Sequence, residues 1–295
     1  MKRLLITGGS GYLGGKLVQM ARRDWTVVYT YLNNQIDIPR AVSASLDILD
    51  RDKVLRLFHN FCPHAVIHTA YSQDNLEVII QGTKHVAEAS EAVGARLIHL
   101  STDAVFDGAR GWYREDDTPL PIHPYGKAKA EAERLVNCSV PLATTTRLNK
   151  NAESQVATAL VNRSAAIVRT SLIWGLDPMD SITLHLVNCL NEGGRLALFT
   201  DEYRCPIHVD ELASAILELL NLDFCGIIHV AGPERMSRYE FGLDLARKLG
   251  LNINGITPGL SRLSELVRPK DCSLDTSLAR GLLKTRISAP SELLA

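Results

Sequence analysis

The chain has 295 residues, 46 % of them hydrophobic, and a formal net charge of −1. It is long enough to bury a large core as one domain or two intimate ones, and its interspersed charges give no electrostatic case for nucleic acid or an anionic membrane as partner. No apolar run reaches the ~20 residues of a membrane span, the first apolar stretch is too short for a signal peptide, and the six cysteines (Cys62, Cys138, Cys189, Cys205, Cys225, Cys272) lack CxxC spacing, as expected of reduced thiols in a cytoplasmic protein.

In chain order, the first predicted strand is RLLIT (3–7), and it runs directly into ITGGSGYLGG. Gly8, Gly11 and Gly14 are spaced three apart, with Tyr12 and Leu13 between the last two, and the helical pattern GYLGGKLVQMARR follows. Glycines so placed permit a tight turn, close approach of backbone to a pyrophosphate, and close helix–sheet packing. A plain strand-to-helix turn is the alternative, but the position after a strand and before an amphipathic helix favours a dinucleotide site.

The second predicted strand, TVVYTYL (26–32), ends in NNQ and not in a carboxylate. A carboxylate there would bind the ribose 2′-hydroxyl of NAD and repel a 2′-phosphate, so NADP is favoured and NAD stays open. DRDKVLRLFHNF reads as a helix, HAVIHTA (64–70) as the third strand, and LEVIIQGTKHVAEASEAVG as the next helix. His64 and His68 lie four apart on that strand with no third ligand in view, so no metal site is predicted.

ARLIHLS (95–101) is the fourth predicted strand, and Thr102 of LSTDAVFDG follows it at the carboxyl edge of the sheet, where ligands bind in such folds. Its hydroxyl suits a substrate carbonyl; a turn cap is the bland alternative. HPYGKAKAEAERL (123–135) then places Tyr125 and Lys129 four apart, on one helix face. A neighbouring ammonium and a helix N-terminus favour the phenolate, so the lysine is expected to lower the tyrosine pKa.

Residues 137–163 are polar and without a clear strand, and read as an insertion. AAIVRTS (165–171) is a fifth strand, so βα alternation predicts an α/β, doubly wound parallel sheet over residues 1–171. From 172 to 295 the gaps lengthen. Helical patterns at MDSITLHLVNCLNEGG, HVDELASAILELLNL and SRYEFGLDLARKLG, with a late strand at GIIHVAG, predict a smaller substrate-binding lobe, partly interleaved with the first. A homodimer is left open by the insertion and by the tail after Ser277.

The ordered set TGGSGYLG, LDI, HTAY, LSTDAVFDG, YREDDTPLPIHPYGKAK, IVRTSLIWG, DEYRCPIHVDELA, HVAGPERMSRYEFG and RPKDCSLDTS resembles the extended short-chain dehydrogenases, and among them the dTDP-4-dehydrorhamnose reductases, from Arg3 to about Ser277. The resemblance implies hydride transfer from NAD(P)H to a keto carbon of a nucleotide-linked sugar. It makes Tyr125 the acid, Lys129 the residue that holds the nicotinamide ribose, and Thr102 the group that binds the carbonyl. It places Asp47 and Ile48 at the adenine, although Asp47 also reads as a cap for the helix starting near Asp50, and adds Thr69, Ala70 and Tyr71 to the cofactor site. Asp103, Val105 and Phe106 would line the sugar pocket. Arg204 and Arg268 are candidates to grip a diphosphate, with surface ion pairing as the alternative.

The pattern breaks at Leu172, where a tryptophan is usual, near Ile79, where an asparagine is usual, and at Arg204 and Cys205, where smaller residues are common. The regulatory subunit of methionine adenosyltransferase resembles the same family, so a non-catalytic dinucleotide-binding role remains an alternative, as does a nucleotide-sugar 4-epimerase. A dehydratase is disfavoured because Ala104 stands where elimination needs a glutamate.

Overall fold

Strand β1 (Lys2–Thr7) is apolar on both faces and sits at the centre of a sheet. β2 (Trp25–Tyr31), β3 (Ala41–Ser45), β4 (Ala65–His68), β5 (Arg96–Thr102) and β6 (Ala165–Thr170) join it in parallel. The computed structural model describes residues 1–138, 165–264 and 267–295. The predicted insertion at 137–163 therefore lies, from residue 139 onward, outside the described residues.

Beyond β6 come the short strands β7 (Ile173–Trp174), β8 (Leu196–Phe199), β9 (Tyr203–Arg204) and β10 (Ile207–His208). The chain then returns to the central sheet as β11 (Gly226–His229), parallel to β6. The seven strands run β11-β6-β5-β4-β1-β2-β3, so strand order reverses between β1 and β4. Divergent connections at such a reversal open a crevice beyond the carboxyl ends of the strands. The register aligns the carboxyl-end residues: Thr7 is opposite His68, His68 opposite His99, and Thr102 opposite Thr170.

Each face of the sheet is covered, which is why its strands are near-continuous apolar runs. On one face α1 (Tyr12–Ala21) packs through Leu13, Leu17 and Val18 against Leu4, Ile6 and Val27, together with a helix from the second half, Val209–Leu219. On the other face lie α2 (Arg51–Phe61), α3 (Thr83–Ala92) and α4 (Pro124–Cys138). There Val54, Phe58, Val86 and Val136 meet Leu5, Val66, Leu97 and Ile167. Asp50 caps α2 by accepting from the Lys53 amide at 3.0 Å. Before α3 the backbone forms a wider π turn at Val78–Gly82, where Gly82 makes room for the buried Ile48.

Of the remaining helices, α5 (Ser181–Asn191) begins on Asp180, whose carboxylate accepts from the Ile182 and Thr183 amides. α6 is the Val209–Leu219 helix already placed, and α7 (Arg238–Lys248) opens on a reciprocal Ser237/Glu240 capping box. Among the described residues no helix is long and apolar enough to cross a membrane, and no three His, Cys, Asp or Glu side chains gather as a metal site. His68 is instead buried between the hydroxyls of Thr7 (2.6 Å) and Thr83 (3.0 Å).

Candidate active site

The glycine loop is tight because its own atoms leave no room for side chains. Gly8 has φ +70°, and a Cβ there would lie 2.7 Å from the Ala70 backbone; a Cβ on Gly14 would lie 2.1 Å from the Gly8 carbonyl oxygen. The loop is tied to the second strand by the Gly9 amide, which donates to the Thr30 carbonyl at 2.8 Å. α1 starts at Gly11 with no side-chain cap and no acidic residue in its first turn. Its unpaired amides and positive dipole end are left for an anion, the arrangement that suits a pyrophosphate.

This loop forms one wall of a cleft of about 450 Å³ at the carboxyl ends of the strands. Gly8, Gly11, Tyr12, Leu13, Gly14, Thr69, Tyr71, Thr102, Asp103, Tyr125, Lys129 and Arg204 all line it. Tyr125 and Lys129 therefore face the glycine loop, brought there by the first two turns of α4. That helix starts at Pro124, whose fixed φ suits a first helical position, and the His123 ring nitrogen accepts from the Gly126 amide at 3.0 Å. The His123 ring also stacks on Tyr125, with centroids 6.1 Å apart.

The electrostatics differ from the sequence expectation. Burial, then Tyr71 and Asp103, push the Tyr125 phenol above its ordinary value, and a hydrogen bond with Thr102 works the other way. Lys129 is not among the groups that shift it; its Nζ donates to the Leu100 carbonyl at 3.0 Å and sits over the Tyr71 ring at 5.4 Å. Burial in turn pushes the Lys129 ammonium down to about 8, against the pull of Glu133. The cleft thus holds a protonated phenol at neutral pH, able to give a proton. Thr102 both lines the cleft and caps a one-turn helix at Asp103–Val105 by accepting from the Ala104 amide at 3.2 Å.

Other predicted site residues lie elsewhere. Val105 and Phe106, expected to line a sugar pocket, are fully buried. The turn after Thr102 directs them into a cluster with Tyr113, Cys205, Cys272 and Leu274, where Phe106 stacks on Tyr113. They support the cleft from behind. Asp47, Ile48, Ala70 and Arg268 do not line the cleft either. Asp47 accepts from the Leu49 amide at 2.9 Å in a local turn, Ile48 is core, and Ala70 backs Gly8.

Asp103 is buried and held by the Ser171 hydroxyl (2.6 Å) and Arg204 Nε (3.5 Å). Arg204 is no surface ion pair: it is buried and also donates to the carbonyls of Tyr203 and Pro269. A second, apolar groove of about 230 Å³ adjoins the cleft, sharing Ile182 and Arg238 with it. Ala197, Leu198, Phe199, Phe241 and Arg268 complete its walls. Three guanidiniums converge here on one buried carboxylate, Glu202: Arg238 at 3.0 Å, Arg204 at 3.4 Å and Arg268 at 3.4 Å. Burial opposes the Glu202 charge, but the arginines outweigh it and hold the carboxyl below its usual range. The Arg268 Nε is buried without a hydrogen-bond partner. Arg238 and Glu202 escaped the sequence reading, although the placement of Arg238 directly after the Ser237 cap was a signal for it.

A family model described as the RmlD substrate binding domain matches residues 1–151 and 140–289, nearly the whole chain. The chain belongs to the RmlD family. One solved RmlD-like structure, a hypothetical dTDP-4-dehydrorhamnose reductase from Sulfolobus tokodaii, is 30 % identical, with 97 % of each chain covered and a TM-score of 0.80. The dTDP-4-dehydrorhamnose reductase of Bacillus anthracis, solved in complex with NADP, shares the fold at 23 % identity, covering 100 % of this chain and 98 % of its own, with a TM-score of 0.77. Among curated proteins, methionine adenosyltransferase 2 subunit beta of Pongo abelii is 26 % identical over 94 % of this chain and 81 % of its own length. The chain is thus similar both to proteins named as reductases and to one named as an enzyme subunit.

Proposed function

We propose that this RmlD-family protein is an NAD(P)H-dependent reductase of a keto group on a nucleotide-linked sugar, with NADP(H) the favoured cofactor and Tyr125 the general acid. The observation that carries the reading is that Tyr125, Lys129 and Thr102 share one cleft with an uncapped, side-chain-free glycine loop. The loop suits a pyrophosphate, and Lys129, which lines the same cleft, would hold the nicotinamide ribose. A nicotinamide cofactor bound there supplies the hydride that a carbonyl carbon receives.

The protein's own part is positioning and proton delivery. Thr102 Oγ1 hydrogen-bonds the substrate carbonyl oxygen, and Tyr125 Oη gives that oxygen the proton that completes the alcohol. Because burial keeps the phenol protonated, the acid is ready at neutral pH in the reductive direction. The apolar groove with Phe199 and Phe241 suits a nucleobase, and Arg238, where the groove meets the cleft, and Arg268, in the groove wall, suit a diphosphate. The S. tokodaii and B. anthracis relatives, one named and one solved with NADP as dTDP-4-dehydrorhamnose reductases, support this substrate class.

A second reading, a dinucleotide-binding subunit without turnover, is favoured by the similarity to methionine adenosyltransferase 2 subunit beta. The two separate in one assay: NADPH absorbance is followed with a panel of 4-keto sugar nucleotides. Oxidation of NADPH with one of them is expected. Cofactor binding without oxidation by any member of the panel would reject the reductase in favour of the subunit. A strong preference for NADH over NADPH by titration would contradict the cofactor assignment.

A further inference from the structure

The inward face of α4 carries a third group beyond the two that reach the cleft. Tyr125, Lys129 and Glu133 follow at intervals of four, so they stack along one line of the helix. Glu133 is only 3 % exposed and Arg169, on β6, 1 %. Arg169 grips it as a fork, Nε to Oε1 at 3.0 Å and Nη2 to Oε2 at 2.8 Å, and the Ser101 hydroxyl also donates to Oε1. Arg169 is itself enclosed, with its guanidinium 5.0 Å from the Phe106 ring and Nη1 3.4 Å from His229 Nε2. Each carboxylate oxygen thus accepts from a guanidinium nitrogen in a two-pronged, charge-assisted pair.

The groups around Lys129 make that charge matter. From β4 and β5 it faces His68 and His99, whose ring centroids are 5.3 Å apart. Burial, with the lysine's own charge, keeps both imidazoles neutral, His68 pushed down to about 3 and His99 well below its ordinary value. On α3 the Thr83 hydroxyl is bonded to His68. From the cleft come the Tyr71 face and the neutral Tyr125, while Asp103 is taken up by Ser171 and Arg204. Glu133 is the carboxylate that favours the charged lysine.

We propose that Glu133 is a positioning residue that acts through Lys129: clamped by Arg169 and Ser101 one helical turn from the lysine, it sets a fixed negative charge behind the ammonium that lines the cofactor cleft. The proposal rests on the reading of Lys129 as a cofactor-binding cation and extends it to a buried pair that no substrate or cofactor touches.

The test is the pH dependence of NADPH binding, followed by tryptophan fluorescence over roughly pH 6 to 10. In the wild type, affinity is expected to fall as pH rises past about 8, where Lys129 loses its proton. In Glu133→Gln the same fall begins about one pH unit lower, so that binding near neutrality to mildly basic pH is roughly tenfold weaker, while at acidic pH it matches the wild type. Ser101→Ala removes a hydrogen bond but no charge, and its midpoint stays with the wild type. Glu133→Gln/Arg169→Met removes both buried charges; if the single variant does not fold, this pair still moves the midpoint downward, but by less, because no orphaned guanidinium is left to oppose the lysine. A midpoint unmoved in both, or weakening by the same factor at every pH, overturns the proposal and leaves Glu133 a structural ion pair. Absence of NADPH binding by the wild type at all pH values overturns the dinucleotide reading and this one with it.

Discussion

Two adjacent glycines of α1 should respond to the same substitution with opposite sign. A Cβ on Gly14 would sit 2.1 Å from the Gly8 carbonyl oxygen and 2.9 Å from Gly9 Cα, so the loop must move by about 1.3 Å (3.4 − 2.1) to restore ordinary contact. Those atoms are backbone on both sides and cannot rotate away. Gly14→Ala is therefore expected to open the loop where a pyrophosphate would lie, with overpacking strain of about 1–3 kcal/mol and NADPH affinity reduced at least about tenfold. A Cβ on Gly15 meets only the Gly9 carbonyl oxygen and Ile36 Cδ1, both at 3.6 Å. Gly15→Ala should leave affinity unchanged and stabilise the helix by about 0.5–1 kcal/mol, since alanine loses less backbone entropy there. Calorimetric titration and thermal unfolding of both variants decide the matter. Wild-type affinity in Gly14→Ala, or equal losses in the two, would refute the argument that close backbone approach shapes this site.

Tyr125→Phe should cut turnover by about 10²–10⁴ while NADPH affinity stays within about twofold, read from steady-state rates and titration; a fully active variant would remove the phenol from the acid role. Arg169→Met leaves Glu133 as a buried unpaired carboxylate and should cost about 3–5 kcal/mol in chemical denaturation, most of it recovered in Glu133→Gln/Arg169→Met. If the single and the pair are equally destabilised, the loss comes from packing and not from the orphaned charge. Arg238→Ala should raise KM for the nucleotide-linked substrate roughly tenfold or more, with kcat little changed, because a charged hydrogen bond to a diphosphate contributes in both ground and transition states. An unchanged KM would place the diphosphate elsewhere.

The sheet was legible where burial is two-sided and apolar, as in RLLIT and AAIVRTS. β3 was missed because AVSAS is a short edge strand, half exposed, with small residues that carry no periodicity. The long helical pattern before β5 was read as one helix, but the backbone widens at Val78–Gly82 to pass Gly82 over Ile48, a contact between distant segments that local spacing does not encode. At the site, helical spacing brought Tyr125 and Lys129 into view. The burial of Val105 and Phe106 was not readable, because a single turn after Thr102 reverses which side chains face in. The direction of the tyrosine shift was misjudged for the same kind of reason. Spacing placed an ammonium nearby, whereas desolvation, which depends on the whole surround, dominates. Nothing in the spacing of KAKAEAERL sets Glu133 apart from the other charges of the segment, and only its pairing with Arg169 on a neighbouring strand reveals it as buried.

The arrangement at Glu202 has a mechanical meaning. Its arginines arrive from β9, from the start of α7 and from residue 268, stretches that backbone bonds also join, Tyr203 N to the Lys270 carbonyl at 2.6 Å and Arg238 N to the Glu202 carbonyl at 2.9 Å. One carboxylate is the hub on which these parts of the second half meet. In the proposed substrate complex, a diphosphate held by Arg238 and Arg268 would pull on the same hub from two sides, so that seating the substrate and stiffening the lobe around it would become a single event.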